Sequence, residues 1–173
     1  MLLTIADQPS ELVLHLNDLQ TQGKFAWGGV TNLLRAGVAH DFEPQQIVKG
    51  DEIEVFLMNS STNDLHDLLL PEQDQRFQIS LFDSSGNEVP KTAFGAQQGK
   101  PLLMDAHAQG VTSVFIAVED AVKCERFNLN AYFEIKTPGE YRLTYRQRLF
   151  QIKANGTPEG MTLPIVSVPV EIY

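Results

Sequence analysis

One run constrains the fold more than any other part of the chain: Pro138-Gly139-Glu140-Tyr141-Arg142-Leu143-Thr144-Tyr145-Arg146-Gln147-Arg148-Leu149. Pro-Gly makes a turn. Behind it, Tyr141, Leu143, Tyr145 and Gln147 alternate with Arg142, Thr144, Arg146 and Arg148. A period of two that is rich in aromatic residues marks a strand with one buried face. Val166 to Ile172 repeats the pattern at the end of the chain. Together they predict the last hairpin of an antiparallel β-sandwich. Tyr141, Leu143 and Tyr145 should face its core, and Arg142, Thr144 and Arg146 should face water.

Other segments carry the same period. Leu12, Leu14 and Leu16 alternate with Val13 and His15, as in a first, edge strand. Glu52 to Asn59 is a strong strand, with Ile53, Val55 and Leu57 on one face. Phe77 to Asp83 is another, with Phe77, Ile79 and Leu81 inward. Asp83-Ser84-Ser85-Gly86-Asn87 then turns the chain: Asp83 suits an Asx-turn, Gly86 supplies a left-handed position, and Val89 begins a return strand. Val111 to Val118 is apolar on both faces and reads as a central strand. Ile47 to Asp51 reads as a short strand and turn, and Leu65 to Leu70 as a short helix or strand ended by Pro71. Between these lie three stretches without clear period, 17–46, 94–110 and 152–164, expected to be long loops. A helical turn within Thr31 to Val38 is compatible with Val30, Leu33 and Leu34 sharing a face.

The C-terminal third, with Phe127-Asn128-Leu129-Asn130 and Tyr132-Phe133-Glu134-Ile135 leading into Pro138-Gly139 and the aromatic strand, resembles the end of immunoglobulin-like and fibronectin-like sandwiches. That resemblance implies that Tyr141, near the start of the penultimate strand, anchors the corner by its hydroxyl. The paired Cys of immunoglobulin domains, and the Trp packed on them, have no counterpart here. The expected fold is therefore all-β, an antiparallel sandwich of 173 residues in one domain, with at most short helices.

Composition bounds the function. Ten Phe and four Tyr supply aromatic mass for a core, and a chain of this size needs no metal or disulfide to fold. The formal charge of −9 repels phosphate, so neither nucleic acid nor an anionic membrane is an expected partner, and no window is long and apolar enough to span a bilayer. Arg142, Arg146 and Arg148 are the candidates for a local basic patch. Cys124 stands alone, which fits the cytoplasm or bacterial periplasm. Met1 to Asp7 lacks the features of a signal peptide, as expected of a cytoplasmic protein or of one whose leader has been removed.

Chemical motifs are sparse. Asp64-Leu65-His66-Asp67 is the densest cluster of imidazole and carboxylate, and Asp64, His66 and Asp67 are the candidate metal ligands. No second His lies at ligand spacing. Asp83 to Glu88 has the oxygen-rich look of a calcium loop without its spacing. Asn59-Ser60-Ser61 and Asn155-Gly156-Thr157 match a glycosylation acceptor. The chain has no nucleophile elbow, phosphate-binding loop, HExxH or CxxC, and no cofactor is expected. Trp27 and Phe25, beside Gly28-Gly29, are the candidate ligand-binding residues. These features favour a non-catalytic module that binds a protein or glycan or serves in assembly. The rivals are a hydrolase or metal-dependent domain using loop His and Asp, and an inhibitor of another protein.

Overall fold

The strand that begins at the Pro-Gly turn continues past Leu149. The computed structural model describes residues 11–15, 24–31, 34–40, 50, 52–61, 68–69, 71, 73–99 and 121–173. Its strands, in chain order, are β1 (Glu11–His15), β2 (Lys24–Trp27), β3 (Leu34–His40), β4 (Glu54–Ser61), β5 (Leu68–Leu69), β6 (Phe77–Phe82), β7 (Ala121–Asn128), β8 (Gly139–Ile152), β9 (Pro158–Thr162) and β10 (Val166–Ile172). Every pairing among them is antiparallel. Helix among the described residues is limited to single turns at Gln73–Arg76, Ala93–Ala96 and Leu129–Tyr132.

One sheet has the order β1-β7-β4-β3-β2. The other is organised on β8, whose 14 residues are long enough to take two partners in succession along each flank. On one flank β10 pairs with its first half and β9 with its second. On the other flank β6 covers Arg142 to Gln147 and β5 covers Phe150 and Gln151. The two sheets pack face to face, with β10 against β2 and β3. Leu34, Ala36 and Val38 of β3 share one core cluster with Leu143, Tyr145 and Val168.

The β8 alternation matches the sequence reading. Tyr141, Leu143 and Tyr145 are buried, while Arg142 and Arg146 are exposed and Thr144 is half-buried. Gln147 shares the buried face, where its Oε1 accepts a 3.2 Å hydrogen bond from the Tyr145 hydroxyl. A buried amide without such a partner would be costly. The Tyr141 hydroxyl donates to the Thr137 carbonyl at 2.6 Å and so ties the corner before the Pro-Gly turn, as expected.

A β-bulge keeps the partner strands in phase with β8. The Leu163 N–H donates to the Gln147 carbonyl at 2.8 Å, and Val166 pairs with Tyr145. Pro164 and Ile165 therefore share the place opposite Arg146, two residues against one. Without the extra residue, a strand burying Leu163 would turn Val166, Val168, Val170 and Ile172 to water. With it, all five are buried.

Two of the expected loops contain strands, and most of the third, residues 100–110, lies outside the described residues. Within 17–46 lie β2 and β3, and the helical turn expected at Thr31 to Val38 is replaced by β3, with Thr31 and Leu34 exchanging backbone hydrogen bonds of 2.7 and 2.9 Å. The outward positions of β3 are Arg35, Gly37 and Ala39, so Arg35 alone marks the alternation with a polar residue. Within 152–164, β8 runs on to Ile152, and Lys153 to Thr157 makes a tight turn into β9. Its Gly and Pro residues are hairpin punctuation rather than an unstructured insertion. The 94–110 stretch begins inside the Ala93–Ala96 helical turn, which Thr92 caps by accepting from the Gly95 N–H at 3.0 Å. Of the Leu65 to Leu70 stretch only Leu68–Leu69 is described, and these two residues are strand. The return from the Asp83 turn is a bridge between Phe82 and Glu88, extended by a 2.8 Å hydrogen bond from Val89 to Leu81. Among the described residues β1 ends the order of its sheet, as expected of an edge strand. The strand expected at Val111 to Val118 and most of Ile47 to Asp51 lie outside the described residues. β7 was not anticipated as a strand.

Leu143 has no solvent exposure. Leu143→Ala should cost about 2–5 kcal/mol through lost burial and a residual cavity, whereas Thr144→Ala should cost about 0.5 kcal/mol or less. Urea unfolding of the two variants checks the register. Equal losses would place the strand one residue out of phase.

Candidate functional site

The register of β2 and β3 determines where Phe25 and Trp27 point. Leu34, Ala36 and Val38 belong to the core cluster, so Arg35, Gly37 and Ala39 face outward. Phe25 pairs with Ala39 and Trp27 with Gly37, which puts both aromatics on that outer face. The structure thus places Trp27 at the end of a strand rather than in a glycine-rich loop. Among the described residues β2 is the last strand in its sheet.

Gly37 makes room for the indole. A Cβ at that position would lie 2.6 Å from Trp27 Cε3 and 2.9 Å from the Ala26 carbonyl oxygen. The Arg35 guanidinium carbon sits 4.0 Å from the Trp27 ring centroid, a cation–π contact on the same face. Both aromatics remain half-buried. The row through Phe25 and Ala39 continues to Phe56 and Arg126. Arg126 lies 5.9 Å from the Phe56 ring centroid and 3.4 Å from the Glu54 carboxylate. The outer face of this sheet therefore combines fixed aromatic rings with guanidinium groups. The sequence singles out Trp27 and Phe25 but not Arg35, which the structure places beside Trp27, two residues from Gly37 on the same face.

The candidate metal ligands Asp64, His66 and Asp67 lie outside the described residues. Among the described residues no three His, Cys, Asp or Glu side chains converge on a common point. Cys124 belongs to β7, in register with Leu12 and Met58. Two of the buried polar side chains, Arg76 and Gln147, serve the fold. Arg76 donates to the Pro71 carbonyl through Nε at 3.4 Å and Nη2 at 3.3 Å, and Gln147 is engaged as described above.

The Asp83 segment is a turn. Asp83 Oδ1 accepts from the N–H groups of Ser85 and Asn87, both at 2.9 Å, and Gly86 has φ of 83°. The Asp83 N–H donates to the Asn87 carbonyl and the Gly86 N–H to the Asp83 carbonyl, each at 2.9 Å. Lys153 to Thr157 repeats this backbone scheme, with Gly156 at φ 79°. Both are three-residue hairpin loops closed by a left-handed glycine. Beside the Asp83 turn, a cleft of about 380 Å³ opens among Asp83, Ser84, Gly86, Glu140, Arg142, Ser167 and Pro169. Its lining has no His or Cys, and the Asp83 carboxylate is committed to the turn.

Among the described residues no helix is long and apolar enough to cross a membrane. Comparison with protein-family models, with curated proteins and with solved structures returns no match.

Two measurements address these local arrangements. Trp27 is the only tryptophan, so its emission reports its own surroundings. Gly37→Ala should displace the ring and shift that emission toward the red, with a stability loss of about 1–3 kcal/mol from overpacking. Unchanged emission would show that the ring does not lie over Gly37. At the turn, hydrogen bonding holds the Asp83 carboxyl below its ordinary value of 3.8, chiefly through the Asn87 N–H. A depressed folded value means that stability from the ionised group is present above the unfolded value and is lost as pH falls through the folded one. The gap in urea midpoint between the unaltered protein and Asp83→Ala should therefore be constant near neutrality and narrow below pH 3.8. A gap that widens on acidification would contradict the assignment.

Proposed function

We propose that this chain is a non-catalytic binding or assembly module that takes a protein or glycan on the outer face of β2 and β3. The observation carrying the proposal is the Trp27 ring, set over Gly37 at the end of β2, with Arg35 stacked on it and Phe25 beside it. A half-buried aromatic on a hydrogen-bonded strand loses little conformational freedom on binding, and its apolar surface gains by leaving water. Arg35 adds a planar cation for a carboxylate or hydroxyl of the ligand. The sandwich architecture and the Tyr141 corner support an immunoglobulin-like or fibronectin-like reading of the fold, in which such faces and their loops carry recognition.

The test uses the single tryptophan as reporter. A panel of oligosaccharides and purified candidate proteins is titrated while Trp27 emission is followed. A binder should change that emission, and Trp27→Ala, which has no tryptophan and is therefore followed by titration calorimetry, should weaken its binding by about 2 kcal/mol or more, as truncation of a central aromatic contact does. Thermal melting verifies that the variant is folded. A binder whose affinity survives both Trp27→Ala and Phe25→Ala would move the recognition surface elsewhere.

A further inference from the structure

The two hairpin loops share a backbone scheme but not a brace. In the first, the Asp83 carboxylate at the opening position holds the N–H groups of Ser85 and Asn87. In the second, that position is Lys153, whose side chain has no acceptor. The N–H at the closing position, Thr157, instead donates to Asn155 Oδ1 at 3.0 Å. The loop is thus braced by an amide that lies directly before a glycine. Asn155-Gly156 is the only such pair in the chain.

An asparagine before glycine has a chemical exit. The backbone nitrogen of the next residue can attack Cγ and close a five-membered ring, and glycine has no Cβ to hinder the backbone from turning toward it. Three features of this loop bear on the attack. Oδ1, where negative charge gathers as Cγ becomes tetrahedral, already accepts from the Thr157 N–H. Nδ2, the group that leaves, has no partner among the described residues, and Asn155 is exposed, so water can protonate it. The Gly156 N–H, by contrast, donates to the Lys153 carbonyl at 2.8 Å. That bond retains the proton which the nucleophile must lose. The electrophile and the leaving group are prepared, and the nucleophile is restrained.

We propose that Asn155 is a site of spontaneous deamidation, held back by the closed loop and released when the loop opens. The Gly156 nitrogen bonds to Cγ and loses its proton, the Cγ–Nδ2 bond breaks, and ammonia departs. Water then opens the succinimide, and nothing is oxidised or reduced. Attack of water at Cγ gives aspartate. Attack at the Asn155 backbone carbonyl gives isoaspartate, in which the main chain runs through the side chain and is one carbon longer. The products differ in what they leave of the loop. Aspartate keeps an oxygen acceptor for the Thr157 N–H. Isoaspartate lengthens a loop closed by short backbone bonds, Gly156 N–H to the Lys153 carbonyl and Lys153 N–H to the Thr157 carbonyl at 3.0 Å. This loop sets the register of β9 on β8, which begins at Ile152 and Pro158. The isoaspartate form therefore loosens the hairpin, and the aspartate form does not.

The experiment incubates the 173-residue protein at neutral pH and physiological temperature and follows a peptide map by mass. Exchange of ammonia for water, a gain of about 1 Da, should appear on the peptide carrying Asn155 before any other asparagine converts. Unfolding in urea should raise the rate about tenfold or more, because the hydrogen bond on the Gly156 N–H is lost. Asn155→Gln should show no gain at this peptide. The isoaspartate form, separated by chromatography from the aged protein, should melt about 2–4 °C lower, the shift that one lost hydrogen bond gives in a chain of this size. Asn155→Asp should melt with the unaltered protein. Earlier conversion at another asparagine, or none at Asn155, would overturn the site. Equal rates in the folded and unfolded chain would overturn the restraint, and unchanged melting of the isoaspartate form would overturn its effect on the hairpin.

Discussion

The second sheet depends on one constraint: side chains along a strand alternate without drift, so a long strand commits all its partners to a phase. β8 makes this commitment over 14 residues. Its buried positions fix which residues of β6 and β10 must face inward, and Ile79, Leu81, Val168 and Val170 comply. The bulge at Pro164 and Ile165 is the single place where the partner chain steps out of count and returns. The rest of the sheet can be short and loosely connected because this one register is strongly specified by apolar burial.

How much could be read in advance follows from how cleanly each strand alternates. β4, β6, β8 and β10 place apolar residues inward and mostly polar ones outward, so both strand and face were legible. β3 was not, because Gly37 and Ala39 occupy two of its outward positions and leave Arg35 as the only polar beat against Leu34, Ala36 and Val38. β7 was not, because Lys123, Cys124, Glu125 and Arg126 show no period of two. β9 hid behind Pro158 and Gly160, which signal loops more often than strands. At the candidate site the aromatic residues announced themselves by type, whereas the fit of Trp27 over Gly37 needs a cross-strand register that composition does not contain.

The sandwich also sorts chemistry between its two outer faces. On the first sheet the outward row holds Phe25, Trp27 and Phe56 with guanidinium groups stacked on or near the rings. On the second it holds arginine, serine, threonine, glutamine and glutamate, with Glu88 Oε1 accepting from the Ser80 hydroxyl at 2.9 Å and Arg142 5.0 Å from the Phe82 ring centroid. Since alternate residues of one strand serve core and surface separately, either outer face can change without repacking the interior.

The bulge has a consequence that concerns the protein at high concentration. Among the described residues β10 is an outermost strand, and an unbroken outermost strand offers a row of backbone groups on which another chain can grow, the first step toward fibrils. Here the β9–β10 margin is interrupted twice. Pro164 and Ile165 break its hydrogen-bonding rhythm, and Pro169 has no N–H to offer an incoming strand. The irregularity that puts Val166 into the core thus also makes this margin a poor template for self-association.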